Sequence, residues 1–197
     1  MKYLIIKSHP FDGSFNAAMV REFSEAAARK GHEVSVIDLI ADGFDPVMRT
    51  EDLRLWKEGK SDDPLVREYQ SSIEKTDVLV FPFPVWWGGP PAILKGFCDK
   101  VLLPGWAWDY GRDADGALID GKLVGMLTGK KAVIIATMET PTDDYAKFYS
   151  SPVENAFIKN TLELCGLEIM HFMQIDRIGS MDIEQGRAKL EEIKELV

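Results

Sequence analysis

The sequence predicts a doubly wound α/β sheet of five parallel strands with helices on both faces, carried by one domain over residues 1–197. Three observations predict it. Short apolar and β-branched runs alternate with stretches of helical spacing along the chain, the pattern of a parallel sheet with crossover helices. Strand, loop, helix and strand follow one another within about the first forty residues, so the connection is a right-handed crossover between parallel strands. The run Asp77-Val78-Leu79-Val80-Phe81 shows no polar alternation, as expected of a strand covered on both faces.

Taken in order, Tyr3-Leu4-Ile5-Ile6 reads as the first strand, ending in the polar loop His9 to Asn16. Phe15, Ala18, Met19, Phe23 and Ala26 are spaced for a helix from Phe15 to Lys30, with Ser14 as N-cap and Gly31 past its end. Glu33 to Leu39 alternates and reads as strand two. Between Ile40 and Lys75 the pattern weakens to a short helix, Thr50 to Trp56, and a second, Leu65 to Glu74, which we read as an excursion over the sheet edge. Strand three leads through prolines and glycines into a helix from Ala92 to Val101, with Pro91 suited to its start. Leu102 to Ala117 reads as a long loop. Lys131 to Thr137 is strand four, Met138 to Ser151 loop, Pro152 to Cys165 helix, Glu168 to Ile175 strand five, and Ile183 to Val197 a charged terminal helix.

Composition narrows the function. A net charge of -9 without clustered Lys or Arg argues against a nucleic-acid or anionic-membrane surface. No run is long enough to span a membrane. The opening MKYLIIKSHP has four apolar residues before a lysine, too few for a signal-peptide core, so a cytoplasmic protein is expected. Cys98 and Cys165 lack metal-ligand spacing and read as reduced, structural thiols; no metal is expected.

Three loops should converge at the carboxyl ends of strands one, three and four, where open parallel sheets bind ligands. The first, His9 to Asn16, runs into a helix N-terminus, whose free N–H groups suit an anion. It is neither a Walker loop nor a GxGxxG fingerprint, and its serine also fits simple capping. The second, Pro84-Val85-Trp86-Trp87-Gly88-Gly89, offers two indoles on a stiff backbone, suited to a flat aromatic ligand or to plugging the sheet end. The third is Thr137-Met138-Glu139-Thr140-Pro141, followed by Tyr145.

Phe81 to Gly96 fits F-x-F-P-x-x-W-x-G-x-P-A-x-L-K-G, and His9 is followed by Ser14-Phe15-Asn16. On these residues the chain resembles the flavodoxin-like NAD(P)H:quinone oxidoreductases, in their compact bacterial form. The likeness spans most of the chain and is weakest across Asp42 to Lys75 and after Pro152. It implies a flavodoxin-like sheet, a homodimer with the slot at the subunit interface, and a flavin, FAD or FMN with a slight preference for FAD. NAD(P)H is the implied co-substrate and a quinone-like molecule the acceptor. His9, Ser14, Phe15 and Asn16 would hold the flavin's phosphate. Pro84, Val85, Trp86, Trp87 and Gly88 would lie along its ring, with Thr137, Met138 and Glu139 closing the other side. Tyr145 is the implied catalytic residue, a phenol near the negative charge that develops on the flavin; a ring merely packed in its loop is the other reading. Trp106 and Trp108 stand where relatives carry an aromatic turn and would contact substrate.

Two departures bear on this. Met138-Glu139-Thr140 replaces a Thr-Gly-Gly run, which leaves FAD against FMN open, and Ser151 stands where some relatives place a histidine. A regulatory flavoprotein subunit of a potassium-efflux transporter, or a nitro- or azo-reductase, fits the same residues. Physiological acceptor and NADH against NADPH are not readable.

Overall fold

A computed structural model describes residues 1–197. Seven strands and six α-helices run as β1 (Lys2–Lys7), α1 (Phe15–Arg29), β2 (Glu33–Asp38), α2 (Thr50–Trp56), α3 (Pro64–Glu74), β3 (Val78–Pro84), α4 (Ala92–Val101), β4 (Trp108–Arg112), β5 (Leu118–Gly125), β6 (Lys131–Thr137), α5 (Thr142–Tyr149), β7 (Glu168–Ile175) and α6 (Ile183–Lys194). A π-wound helix, Val153–Glu163, precedes β7. Five parallel strands form the sheet in the order β2-β1-β3-β6-β7, as the sequence predicts. The chain turns one way from β1 to β2 and the other way to β3, so the switch point lies between β1 and β3.

Both faces are covered. Leu79, Phe81 and Phe83 of β3 pack with Tyr69 of α3, Phe97 of α4 and Phe157 of the π-wound helix. Val78 and Val80, pointing the other way, pack with Met19 and Phe23 of α1 and Ile193 of α6. This two-sided burial is why β3 and β6 are unbroken apolar runs. Prolines inside a central strand would ordinarily break a ladder. Here Val85 N–H points to Thr137 O of β6, so the even-numbered residues of β3 face β1, whose pairing ends at Val80. Pro82 and Pro84 therefore leave no gap.

α1 begins as its sequence dictates, with Ser14 Oγ accepting the Ala17 N–H at 3.1 Å. On α4, a side chain at Gly96 would stand 2.3 Å from Pro46 Cβ, so glycine is what lets the excursion after β2 lie against this helix. The buried Lys100 ammonium anchors the same excursion through Asp45 O at 3.1 Å, with Asp52 and Asp63 at 3.7 and 3.5 Å.

Two regions differ from the expectation. Leu102–Ala117 is not all loop: β4 pairs antiparallel with β5 in a separate hairpin. Met138–Ser151 contains α5, closed by Ser150 in the left-handed region at φ 58°. Neither element buries a full face, so neither prints a periodicity. No helix is long and apolar enough to cross a membrane.

Candidate active site

The expected loops do meet at the carboxyl ends of β1, β3 and β6. Asn16, in the first turn of α1, donates from Nδ2 to Thr137 Oγ1 at 3.0 Å and so ties the phosphate-type loop to the end of β6. Its Oδ1 is buried with no partner, as is Ser8 Oγ at the end of β1. Buried polar atoms are rarely left unpaired, and two at one sheet end point to a polar ligand. The N–H groups of Phe15 and Asn16, the first of the helix, have no intrahelical acceptor and carry the positive end of the dipole. The Phe15 ring, by contrast, turns away toward Ile178, Met181 and Leu190, leaving only its backbone for an anion.

His9 connects the first loop to the second. Its Nδ1 accepts the Phe11 N–H at 3.1 Å, and its ring lies 6.0 Å from the Trp86 ring, centroid to centroid. The second loop is a tight hairpin turn: Trp86 N–H reaches Gly89 O at 2.9 Å, and Gly89 N–H returns to Trp86 O at 3.2 Å. Its two tip residues, Trp87 and Gly88, have φ of 51° and 82°. Glycine adopts that conformation freely; tryptophan holds it at a cost of about 1–2 kcal/mol. The Trp87 ring is fully exposed, so no packing within the subunit compensates for the strain. Strain kept at a cleft edge is a mark of function.

Beside this turn opens a cleft of about 510 Å³, a size suited to a small flat ligand. Val85, Trp87 and Gly88 form one wall; Met138, Glu139 and Tyr145 form another. Val85 N–H is committed to Thr137 O at 2.7 Å and Met138 N–H to Ile175 O at 2.8 Å. The N–H groups of Trp87, Gly88, Glu139 and Thr140 make no such bond and remain available to a ligand. The Glu139 carboxylate is fastened by Gly179 N–H at 2.8 Å. Tyr145 is buried, and its hydroxyl donates to Gly88 O at 2.7 Å while accepting Val153 N–H at 3.1 Å. Burial raises its pKa, so it is a neutral phenol.

The expected residues thus fall into two groups. His9, Ser14, Asn16, Pro84, Val85, Trp86, Trp87, Gly88, Thr137, Met138, Glu139 and Tyr145 gather at one sheet end. Trp106 and Trp108 do not join them. The Trp106 indole donates to Glu74 Oε1 at 2.9 Å, and the Trp108 indole donates to Leu102 O at 3.2 Å while its ring packs 5.9 Å from Trp56. These bonds hold Trp106 at the end of α3 and Trp108 at the end of α4, away from the cleft. Ser8, Tyr149 and Pro152 lie at the same sheet end without being singled out by the sequence, and Thr140 enters there only as a member of the third loop. Ser8, next to His9, was the one with a positional signal.

The fold and this sheet-end site define a flavodoxin-like protein. The whole chain, residues 1–197, matches the flavodoxin-like fold family and belongs to it. It is 32% identical over 188 residues to NAD(P)H dehydrogenase [quinone] 1 of Cavia porcellus, covering 85% of this chain and 65% of that protein. The chain therefore spans a little under two thirds of that relative's length. An uncharacterised NAD(P)H oxidoreductase of Haemophilus influenzae is 28% identical over 193 residues, covering 97% of this chain and 91% of the relative. Among solved structures, Smu.1420 of Streptococcus mutans superposes with a TM-score of 0.84 at 30% identity, covering 100% of this chain and 98% of that one.

Proposed function

We propose that this protein is a flavin-dependent NAD(P)H:quinone oxidoreductase. The observation that carries the reading is the junction of an anion-type helix start with an apolar cleft: Asn16, with its unpaired Oδ1, is bonded to Thr137, one residue before the cleft-lining Met138. The named relatives support it. A bound flavin supplies hydride uptake from NAD(P)H and hydride delivery to a flat acceptor occupying the same slot in turn, a ping-pong mechanism.

The chain's own residues bind, orient and shield. The Phe15 and Asn16 N–H groups and the Asn16 and Ser8 side chains would hold the phosphate end, with His9 beside them. Ser14 contributes by capping the helix that presents those donors. Trp86, Trp87 and Gly88, continuing from Pro84 and Val85, would wall the ring, and the free N–H groups of Glu139 and Thr140 would meet its electron-rich edge. For Tyr145 we propose a positioning role: its proton holds Gly88 O, so donation to developing charge on the flavin requires that bond to open first. The acceptor would stack at Trp87, with Tyr149 opposite. FAD is the preferred flavin over FMN.

We further propose a homodimer. Trp87 and Tyr149 at the cleft, and Phe148 on the same helix as Tyr149, are exposed aromatics that a second copy would cover. A cytoplasmic setting suits two buried, unpaired cysteines. Steady-state kinetics with NADH or NADPH and menadione test the activity. Parallel double-reciprocal lines are expected; absence of turnover from flavin-loaded protein overturns the reading. Chromatography of released flavin decides FAD, and sedimentation decides the dimer.

A further inference from the structure

The cleft has an uneven charge. Its walls are apolar or neutral, and Glu139 supplies its single charged side chain; no lysine, arginine or histidine lines it. That carboxylate is built in, because Gly179 N–H fixes Oε2 at 2.8 Å and a Cβ at Gly179 would crowd the same oxygen to 2.9 Å. Within the subunit the nearby cations are engaged away from Glu139. α5, which rises from the rim, opens with Asp143 and Asp144. Lys147 of that helix folds over the Phe148 ring at 5.1 Å, and Arg177 pairs with Asp176 at 3.4 Å.

We propose that Glu139 selects acceptors by charge, admitting neutral quinones and disfavouring quinones that carry a sulfonate or carboxylate. The proposal rests on the reductase reading of this cleft. Two like charges about 6–8 Å apart at a partly wet rim repel enough to shift binding by roughly five- to tenfold. Because Glu139 is exposed, salt should weaken the effect.

The test compares menadione with 1,2-naphthoquinone-4-sulfonate on wild type and Glu139→Gln, by quenching of tryptophan fluorescence, which needs no turnover, and by kcat/KM. The neutral quinone should bind more tightly to wild type. The substitution should narrow the menadione-to-sulfonate ratio of dissociation constants about five- to tenfold, and added salt should narrow it in wild type but not in the variant. A ratio that Glu139→Gln leaves unchanged overturns the proposal. Turnover of neither quinone, with the binding ratio shifted as expected, would instead count against the reductase reading while upholding charge selection.

Discussion

The Tyr145 hydroxyl donates to the carbonyl oxygen of Gly88 at 2.7 Å, joining α5 to the tip of the tryptophan turn. The Tyr145 hydroxyl oxygen in turn accepts the Val153 N–H at 3.1 Å, so one phenol fastens three segments of the cleft wall. Tyr145→Phe keeps the ring and removes both bonds, leaving a buried N–H without a partner. A loss of about 1–3 kcal/mol in unfolding free energy is expected by denaturant titration. Flavin should bind more weakly as well, because the turn proposed to wall it is released.

Asn16 is expected to separate binding from folding. Asn16→Leu removes one hydrogen bond, to Thr137, but also an acceptor that is unpaired in the subunit. Stability of the flavin-free protein should change by no more than about 1 kcal/mol. Flavin affinity, measured by fluorescence titration, should fall about tenfold or more if Oδ1, which has no partner within the subunit, holds the flavin as proposed.

Trp87 makes a converse case. Its ring is fully exposed and its φ is 51°, so Trp87→Gly deletes a large side chain that packs on nothing within its own subunit while relieving backbone strain. Relief of about 1–2 kcal/mol offsets the extra freedom that glycine gives the unfolded chain, about 0.4–1 kcal/mol. At a protein concentration low enough to keep the subunit monomeric, the urea midpoint should therefore hold or rise slightly. The KM for menadione should increase several-fold as the stacking surface disappears.

The cysteines set an alkaline limit. Burial pushes the Cys98 thiol up to about 12 and the Cys165 thiol likewise up to about 12, from an ordinary value of 9.0. Below the ordinary value both states hold the proton and stability is unaffected. As pH rises past it, only the unfolded thiols ionise, so stability falls until the folded pKa is reached, by roughly 1.4 kcal/mol per thiol per pH unit. Cys165→Ala should flatten the fall in unfolding free energy above pH 9 relative to wild type, measured by denaturant titration. At neutral pH the same burial should keep both thiols unmodified by quinones, which react with thiolates.

How much the sequence disclosed follows from what each segment buries. β3 and β6 are covered on both faces, and α1 carries a clean stripe with Ser14 and Gly31 at its ends, so all three were legible. β4 and β5 form a hairpin whose side chains are largely exposed, including Leu118, Leu123 and Tyr110, so neither strand alternates. The turn between them, Asp113 to Gly116, did carry a readable Asp-Gly signal. α5 buries Tyr145 alone, too little for a stripe. The gathering of Asn16, Trp87 and Tyr145 was legible because each follows a strand at the same sheet end. The partner of the Tyr145 hydroxyl, the fastening of Glu139 by Gly179 and the divergence of Trp106 and Trp108 depend on side-chain directions that spacing does not encode.

The most direct measurement is the visible spectrum of purified, flavin-reconstituted protein, taken anaerobically before and after NADH or NADPH and again after menadione. On the proposed function, an oxidised-flavin band is expected that bleaches with at least one nucleotide and returns with the quinone. A protein that takes up no flavin, or a bound flavin that neither nucleotide bleaches, would contradict it.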